Sequence, residues 1–223
     1  MKNTIMTQPW IETRSGIPIP PFIYGTAWKK ENTAALVAEA LDNGFRGIDT
    51  ACQPRHYNEF LVGEGVKTFC AKGSARSEIY LQTKFTPVDG QDPNNIPYDP
   101  QAPIEEQVAQ SFAVSLRNLK TDYLDALILH SPLYPYEKTI KAWHAMEHMV
   151  EQNKVRLLGI SNCYDLRLLQ QLVQDVTISP SIVQNRFYQQ TGYDTALREY
   201  CRGEGFIYQS FWSLTANPHL LQS

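Results

Sequence analysis

Short apolar runs alternate with amphipathic helices along the whole chain, and that alternation limits the fold more than any other feature. The runs are PPFIYGTAW, FRGIDTA, IYLQTKF, YLDALILH, VRLLGIS, PSIVQNRF and FIYQSFW. Between them lie segments with apolar residues at helical spacing, such as Leu36, Val37, Ala40 and Leu41, or Ile104, Val108, Phe112, Leu116 and Leu119. Strand, loop, helix, strand, repeated in this way, predicts a parallel sheet covered on both faces. No GxGxxG follows the first run, where an open dinucleotide-binding sheet would carry one. Six complete units and a seventh strand therefore predict an α/β protein of the (β/α)8 barrel type.

The pattern stops early. A barrel of this kind typically takes roughly 250 residues, and the chain has 223. The expectation is a single domain over residues 1–223, truncated after strand seven and lacking strand eight and the usual C-terminal segment. Seven strands cannot close as eight do, so strands one and seven should keep unpaired backbone groups on open edges. A homo-oligomer that covers this seam is the expected remedy.

Composition excludes several classes. Hydrophobic residues make up 43% of the chain, ample for a core, and the net charge is −3. Nothing in that balance would grip phosphodiester backbones, so nucleic acid is not an expected partner. No apolar run reaches the roughly 18 residues of a membrane span, and MKNTIMTQPWIETR has no apolar core of a secretion signal. Cys52, Cys70, Cys163 and Cys201 are far apart and form no CxxC pair. They read as reduced thiols of a cytoplasmic protein, and no metal site is expected.

The chemistry should lie where the strands end, because barrels carry their catalytic groups at the C-terminal ends of the strands. Strand two ends in Asp49, and strand three carries Lys84 in LQTKF. Strand four ends in His130, strand five runs into Ser161 and Asn162, and strand six reaches Gln184. Each of these breaks an apolar run with a polar group on one rim. Taken singly, an aspartate there reads as a helix cap and a histidine as a satisfied structural residue. A lysine ending a buried strand is costly unless paired, and Asp49 on the neighbouring strand is the natural partner.

With these motifs in order, the chain resembles the aldo-keto reductases. YGTAW is similar to their first-strand Gly-Thr segment, and GFRGIDTA followed by YNEFLVGEGV to their Asp…Tyr signature. IYLQTKF and LDALILHSP are similar to the strands with the lysine and the histidine, and LLGISNCY, IVQNRFY and YQSFWSL to the strands around the nicotinamide. The resemblance implies NADPH-dependent reduction of a small-molecule aldehyde or ketone, with Asp49, Tyr57, Lys84 and His130 as the catalytic tetrad. It implies cofactor contacts from Gly25, Thr26, Asp49, Ser161, Asn162 and Gln184, with Phe211 stacked on the nicotinamide ring. It also implies a substrate wall formed by Trp28 and His130. In such a site Lys84 should lower the pKa of the Tyr57 phenol so that it donates a proton near neutral pH.

Two features depart from the family. DTACQPRHYNE separates Asp49 from Tyr57 by more residues than usual and places His56 as a rival proton donor. The segment that grips the adenosine 2′-phosphate would lie beyond the last strand, so NADPH is expected to bind weakly or to be lost. Two alternatives stand beside carbonyl reduction. One is non-redox acid–base work such as isomerisation, dehydration or cyclisation; the other is a binding or scaffold role without catalysis.

Overall fold

The computed structural model describes residues 9–221, with side chains as far as His219. Seven strands form one parallel sheet in chain order: β3 (Ile23–Gly25), β4 (Gly47–Asp49), β5 (Tyr80–Phe85), β6 (Leu124–Leu129), β7 (Val155–Ser161), β8 (Ile182–Arg186) and β9 (Ile207–Phe211). These are the seven runs read from the sequence. The helices between them are α1 (Thr33–Asp42), α2 (Glu59–Cys70), α3 (Ile104–Leu119), α4 (Tyr136–Glu151), α5 (Leu166–Asp175) and α6 (Thr195–Glu204). An antiparallel hairpin, β1 (Ile11–Glu12) and β2 (Pro18–Ile19), precedes the sheet and was not foreseen.

The sheet curls into an open barrel. Gln82 on β5 and Gln209 on β9 meet across its axis, exchanging amide hydrogen bonds of 3.0 and 3.2 Å. Among the described residues β3 and β9 are the two edges and do not pair with each other. The seam expected between the first and seventh barrel strands is therefore open, and Ile23 and Ile207 beside it are only partly buried.

Two cores follow from the period of two along each strand. Residues pointing outward meet the helices in a large core that includes Val37, Leu81, Val108, Leu127, Trp143, Leu158 and Val183. Residues pointing inward fill the barrel in layers. At the bottom Tyr80, Ala126, Ile128, Leu157 and Ile182 form a separate apolar cluster. Ile19 of the hairpin plugs that end and is 1% exposed. Above it come the amides of Gln82, Gln184 and Gln209. The same inward rows end at the rim with Lys84, His130, Ser161, Arg186 and Phe211.

Glycine sets the helix spacing at two points of α2. A Cβ on Gly63 would meet the Asn118 carbonyl oxygen at 2.2 Å, and one on Gly65 would meet the Ala34 carbonyl oxygen at 2.7 Å. The helix is thus held against α3 on one side and α1 on the other by backbone contact. Gly203 in α6 faces open space, with nothing within 4 Å of a Cβ. Urea unfolding should separate the two cases. Gly63→Ala is expected to lower stability by about 1–3 kcal/mol through overpacking, whereas Gly203→Ala should leave it unchanged or raise it by up to about 1 kcal/mol through helix propensity.

Candidate active site

Asp49, at the end of β4, is the hub of the rim. Its Oδ1 accepts from Lys84 Nζ at 2.7 Å, from Gln82 Nε2 at 2.6 Å and from Gln184 Nε2 at 3.2 Å. Its Oδ2 accepts a second contact from Lys84 Nζ at 2.7 Å. Lys84 also donates to the Thr50 carbonyl at 2.7 Å, so its ammonium is fixed by protein oxygens on every side it can use. The Lys84 side chain is 2% exposed and that of Asp49 is 14% exposed. Burial of this depth is costly for either charge alone and tolerable for the pair. Thr26 supports Asp49 from β3's end, where both its backbone N–H and its hydroxyl donate to the Asp49 carbonyl.

Tyr57 reaches this centre despite the longer loop. Tyr57 and His56 both donate their backbone N–H to Gln53 O, and the Gln53 amide donates to Gly90 O at 2.7 Å. The extra residues fold into a turn outside the barrel. The Tyr57 ring then lies with Lys84 Nζ 5.2 Å from its centroid and the His130 ring 6.1 Å away. Burial raises the phenol pKa, the Lys84 charge pulls it down, and Asp49 adds to the rise. The net direction is upward, which corrects the expectation that Lys84 would dominate. Removing the phenol from water outweighs an ammonium whose charge is already shared with Asp49.

His130 follows β6. Its Nδ1 lies 2.6 Å from Thr86 Oγ1, and its carbonyl accepts from Asn162 Nδ2 at 2.8 Å. Burial, and then the nearby charges of Lys84 and His56, hold its pKa well below the ordinary value. The ring is neutral at neutral pH. His56 stands at the outer edge instead, its ring 3.9 Å from that of Trp28, and its carbonyl accepts the Trp28 N–H. Trp28 is 58% exposed and forms a wall of the opening with His56.

The residues expected to hold a nicotinamide carboxamide are brought together at the ends of β7, β8 and β9. Ser161 Oγ donates to the Gln184 carbonyl at 2.7 Å, and Asn162 adopts φ +52° beside it. Gln184 spends its amide N–H groups on Asp49 and, at 3.2 Å, on Gln209. Its Oε1 makes no bond among the described residues, which leaves an acceptor for a carboxamide NH2. Phe211 lies two residues beyond Gln209 on the same face of β9, a flat apolar surface next to that acceptor. Gly25 faces open space. These features fit a nicotinamide.

Sequence reasoning missed three contributors. Gln82 donates to Asp49, Gln209 bonds Gln82 beside it, and Thr86 holds His130. Polar residues at inward positions of apolar strands were the available signal. The long connection after β5, residues 86–103, is tied down by Gln91, which donates to Cys52 O and Thr86 O, and by Tyr98, whose hydroxyl donates to Thr86 O at 2.6 Å. The four cysteines are free. Burial pushes the thiols of Cys163 and Cys201 up to about 12, so neither is a reactive thiolate near neutral pH. Among the described residues no cluster of ligating side chains could hold a metal, and no helix is long and apolar enough to cross a membrane.

Known proteins resemble this chain in sequence and in fold. The Aldo/keto reductase family model matches residues 22–221. Glyoxal reductase of Bacillus subtilis (strain 168) is 31% identical over 216 residues, covering 96% of this chain and 70% of that protein. NAD/NADP-dependent indole-3-acetaldehyde reductase of Schizosaccharomyces pombe is 32% identical, covering 89% of this chain and 66% of that protein. A solved aldo/keto reductase from Brucella melitensis superposes with a TM-score of 0.78 at 27% identity, covering 96% of this chain and 77% of that one. The chain thus spans between two thirds and about three quarters of the length of these relatives.

The neutral His130 makes a stability prediction. In the unfolded chain its imidazole takes up a proton near its ordinary pKa of about 6.5; in the fold it does so only at much lower pH. Between those values the unfolded state binds more protons, so folding stability falls as pH drops below about 6.5. Thermal unfolding from pH 7.5 to pH 5 should show this loss in the wild type and a shallower one in His130→Asn. Equal slopes would mean that His130 is protonated in the folded protein.

Proposed function

The chain belongs to the Aldo/keto reductase family, and from that premise we propose that it reduces a small aldehyde or ketone to the alcohol with a nicotinamide cofactor. The observation that carries this reading is the meeting of Tyr57, His130 and a fully bonded Lys84 on one rim. Two of the relatives are named as reductases of glyoxal and of indole-3-acetaldehyde, and the second name includes both NAD and NADP.

Gln184 Oε1, Asn162 and Ser161 would hold the carboxamide, and Phe211 would support the ring. When bound, the reduced nicotinamide supplies the hydride. Every other requirement falls on the chain itself. In the tautomer in which Thr86 donates to Nδ1, His130 carries its proton on Nε2 and hydrogen-bonds a carbonyl oxygen, which polarises it and fixes its direction. Tyr57 delivers the proton that this oxygen needs. Its raised pKa keeps the phenol in the acid form at neutral pH, and Lys84 stabilises the phenolate left behind. Asp49 keeps Lys84 in place and charged. Gly25, Thr26, Trp28 and His56 shape the approach.

Two further statements belong to this reading. Gln184 keeps its N–H bonds to Asp49 and Gln209 while its Oε1 accepts from the carboxamide, so the acceptor is already held in place when the dinucleotide arrives. The edges β3 and β9 present unpaired backbone next to Phe22, which is 62% exposed, and copies of the chain associate through them.

Methylglyoxal turnover with NADPH and with NADH tests the assignment. Tyr57→Phe should lower kcat by about 10²–10⁴-fold, the usual contribution of a general acid, while fluorescence titration still shows the dinucleotide binding. His56→Gln should leave turnover near that of the wild type. Normal turnover by Tyr57→Phe, or its loss in His56→Gln, would move the proton to His56. Light scattering after size exclusion should give a mass above 25.4 kDa; a monodisperse monomer at high concentration would contradict association through the edges.

A further inference from the structure

Arg186 is the last residue of β8 and lies two positions beyond Gln184 in the same inward row. Its guanidinium carbon sits 4.0 Å from the centroid of the Trp212 ring and 5.3 Å from that of Tyr188. Among the described residues it makes no ion pair, and its buried Nε has no hydrogen-bond partner. Lys84, Arg76 and Lys120 are matched by the carboxylates of Asp49, Asp125 and Glu64, and half-buried Arg46 and Arg198, which make no ion pair among the described residues, donate to backbone carbonyls instead. Arg186 is held in place by aromatic faces and left without an anion.

Its setting is rigid. Trp212 occupies a left-handed conformation at φ +58° at the head of a short turn. Fully buried Asn217 closes that turn by donating to Phe187 O at 2.7 Å and to Ser213 O at 2.9 Å. Its ends are further tied by Ala216 N–H to Trp212 O. A planar cation stacked in this way loses little freedom on binding and presents its remaining N–H groups as a fork. The loops that follow the last strands of a barrel are a recurring place for phosphate.

We propose that Arg186 is the anion anchor of the cofactor site and bonds the diphosphate of the dinucleotide. The proposal rests on the functional reading above, because it places the diphosphate outward from a nicotinamide held at Gln184 and Phe211. NAD and NADP share the diphosphate, so Arg186 contributes equally to both.

The test is a fluorescence titration of NADH and NADPH into the full chain, wild type and Arg186→Gln, with circular dichroism to show that both are folded. Arg186→Gln should weaken both dinucleotides by the same factor, about 10- to 100-fold, as expected for a charge-assisted bond. Inorganic pyrophosphate should compete with NADH in the wild type, and Arg186→Gln should lose that competition. Arg186→Lys should recover part of the affinity. Wild-type affinity in Arg186→Gln overturns the assignment and leaves the functional reading standing. So does an effect confined to the KM of anionic glyoxylate, with neutral methylglyoxal and both dinucleotides unchanged, which would give Arg186 to the substrate. A wild-type chain that binds neither dinucleotide contradicts the functional reading and the anchor together.

Discussion

The buried contact between Lys84 and Asp49 is what the rest of the rim depends on. An ammonium at the end of a buried strand is tolerated because a carboxylate and a backbone carbonyl surround it at 2.7 Å. That pair places a fixed positive charge beneath the Tyr57 ring and close to His130. It adds to the burial that keeps His130 neutral, and it pulls back the Tyr57 pKa that burial raises. The same Asp49 oxygen accepts from Gln82 and Gln184, so the free Gln184 acceptor and the Tyr57–Lys84 end of the rim share one hub.

Beneath the rim the barrel interior is polar where apolar packing would be simpler. Gln209 bonds Gln82 and Gln184, both of these donate to Asp49, and Tyr80 donates to Gln82 at 3.0 Å. Bonds between strands, including β5 to β9 across the axis, hold the network together and leave Gln184 Oε1 free to accept. It ties the last strand to the far side of a sheet whose two edges do not meet. A polar layer costs desolvation, and its return here is position: it fixes the Asp49 carboxylate and links an open sheet through its centre.

The sequence made the fold and much of the site legible because both leave periodic traces. Seven apolar runs separated by helical segments have few solutions, and Asp49, Lys84 and His130 each break such a run at its end. Tyr57 was different. Its loop has no period, and only likeness to a family pointed to it past His56. Gln82 and Gln209 passed unnoticed because an amide in the middle of a strand looks like a surface residue when the inward face is not known. The hairpin that carries Ile19 was missed because two-residue strands have no pattern to read. The direction of the Tyr57 shift was misjudged for a related reason: a charge pair can be guessed from two residues, but burial depends on everything packed around them. Arg186 became meaningful only when Trp212 and Tyr188 were seen on either side of it.

Shared dependence of Asp49 and Lys84 is measurable by a double-mutant cycle on folding stability. Asp49→Asn and Lys84→Met should each cost about 3–5 kcal/mol in urea unfolding, because each leaves a buried charge without its partner. If the pair is one unit, the double variant should cost about 2–3 kcal/mol less than the sum of the two single changes. Losses that add to within about 0.5 kcal/mol would contradict it, and would mean that the two charges are held independently and that the site has no common hub.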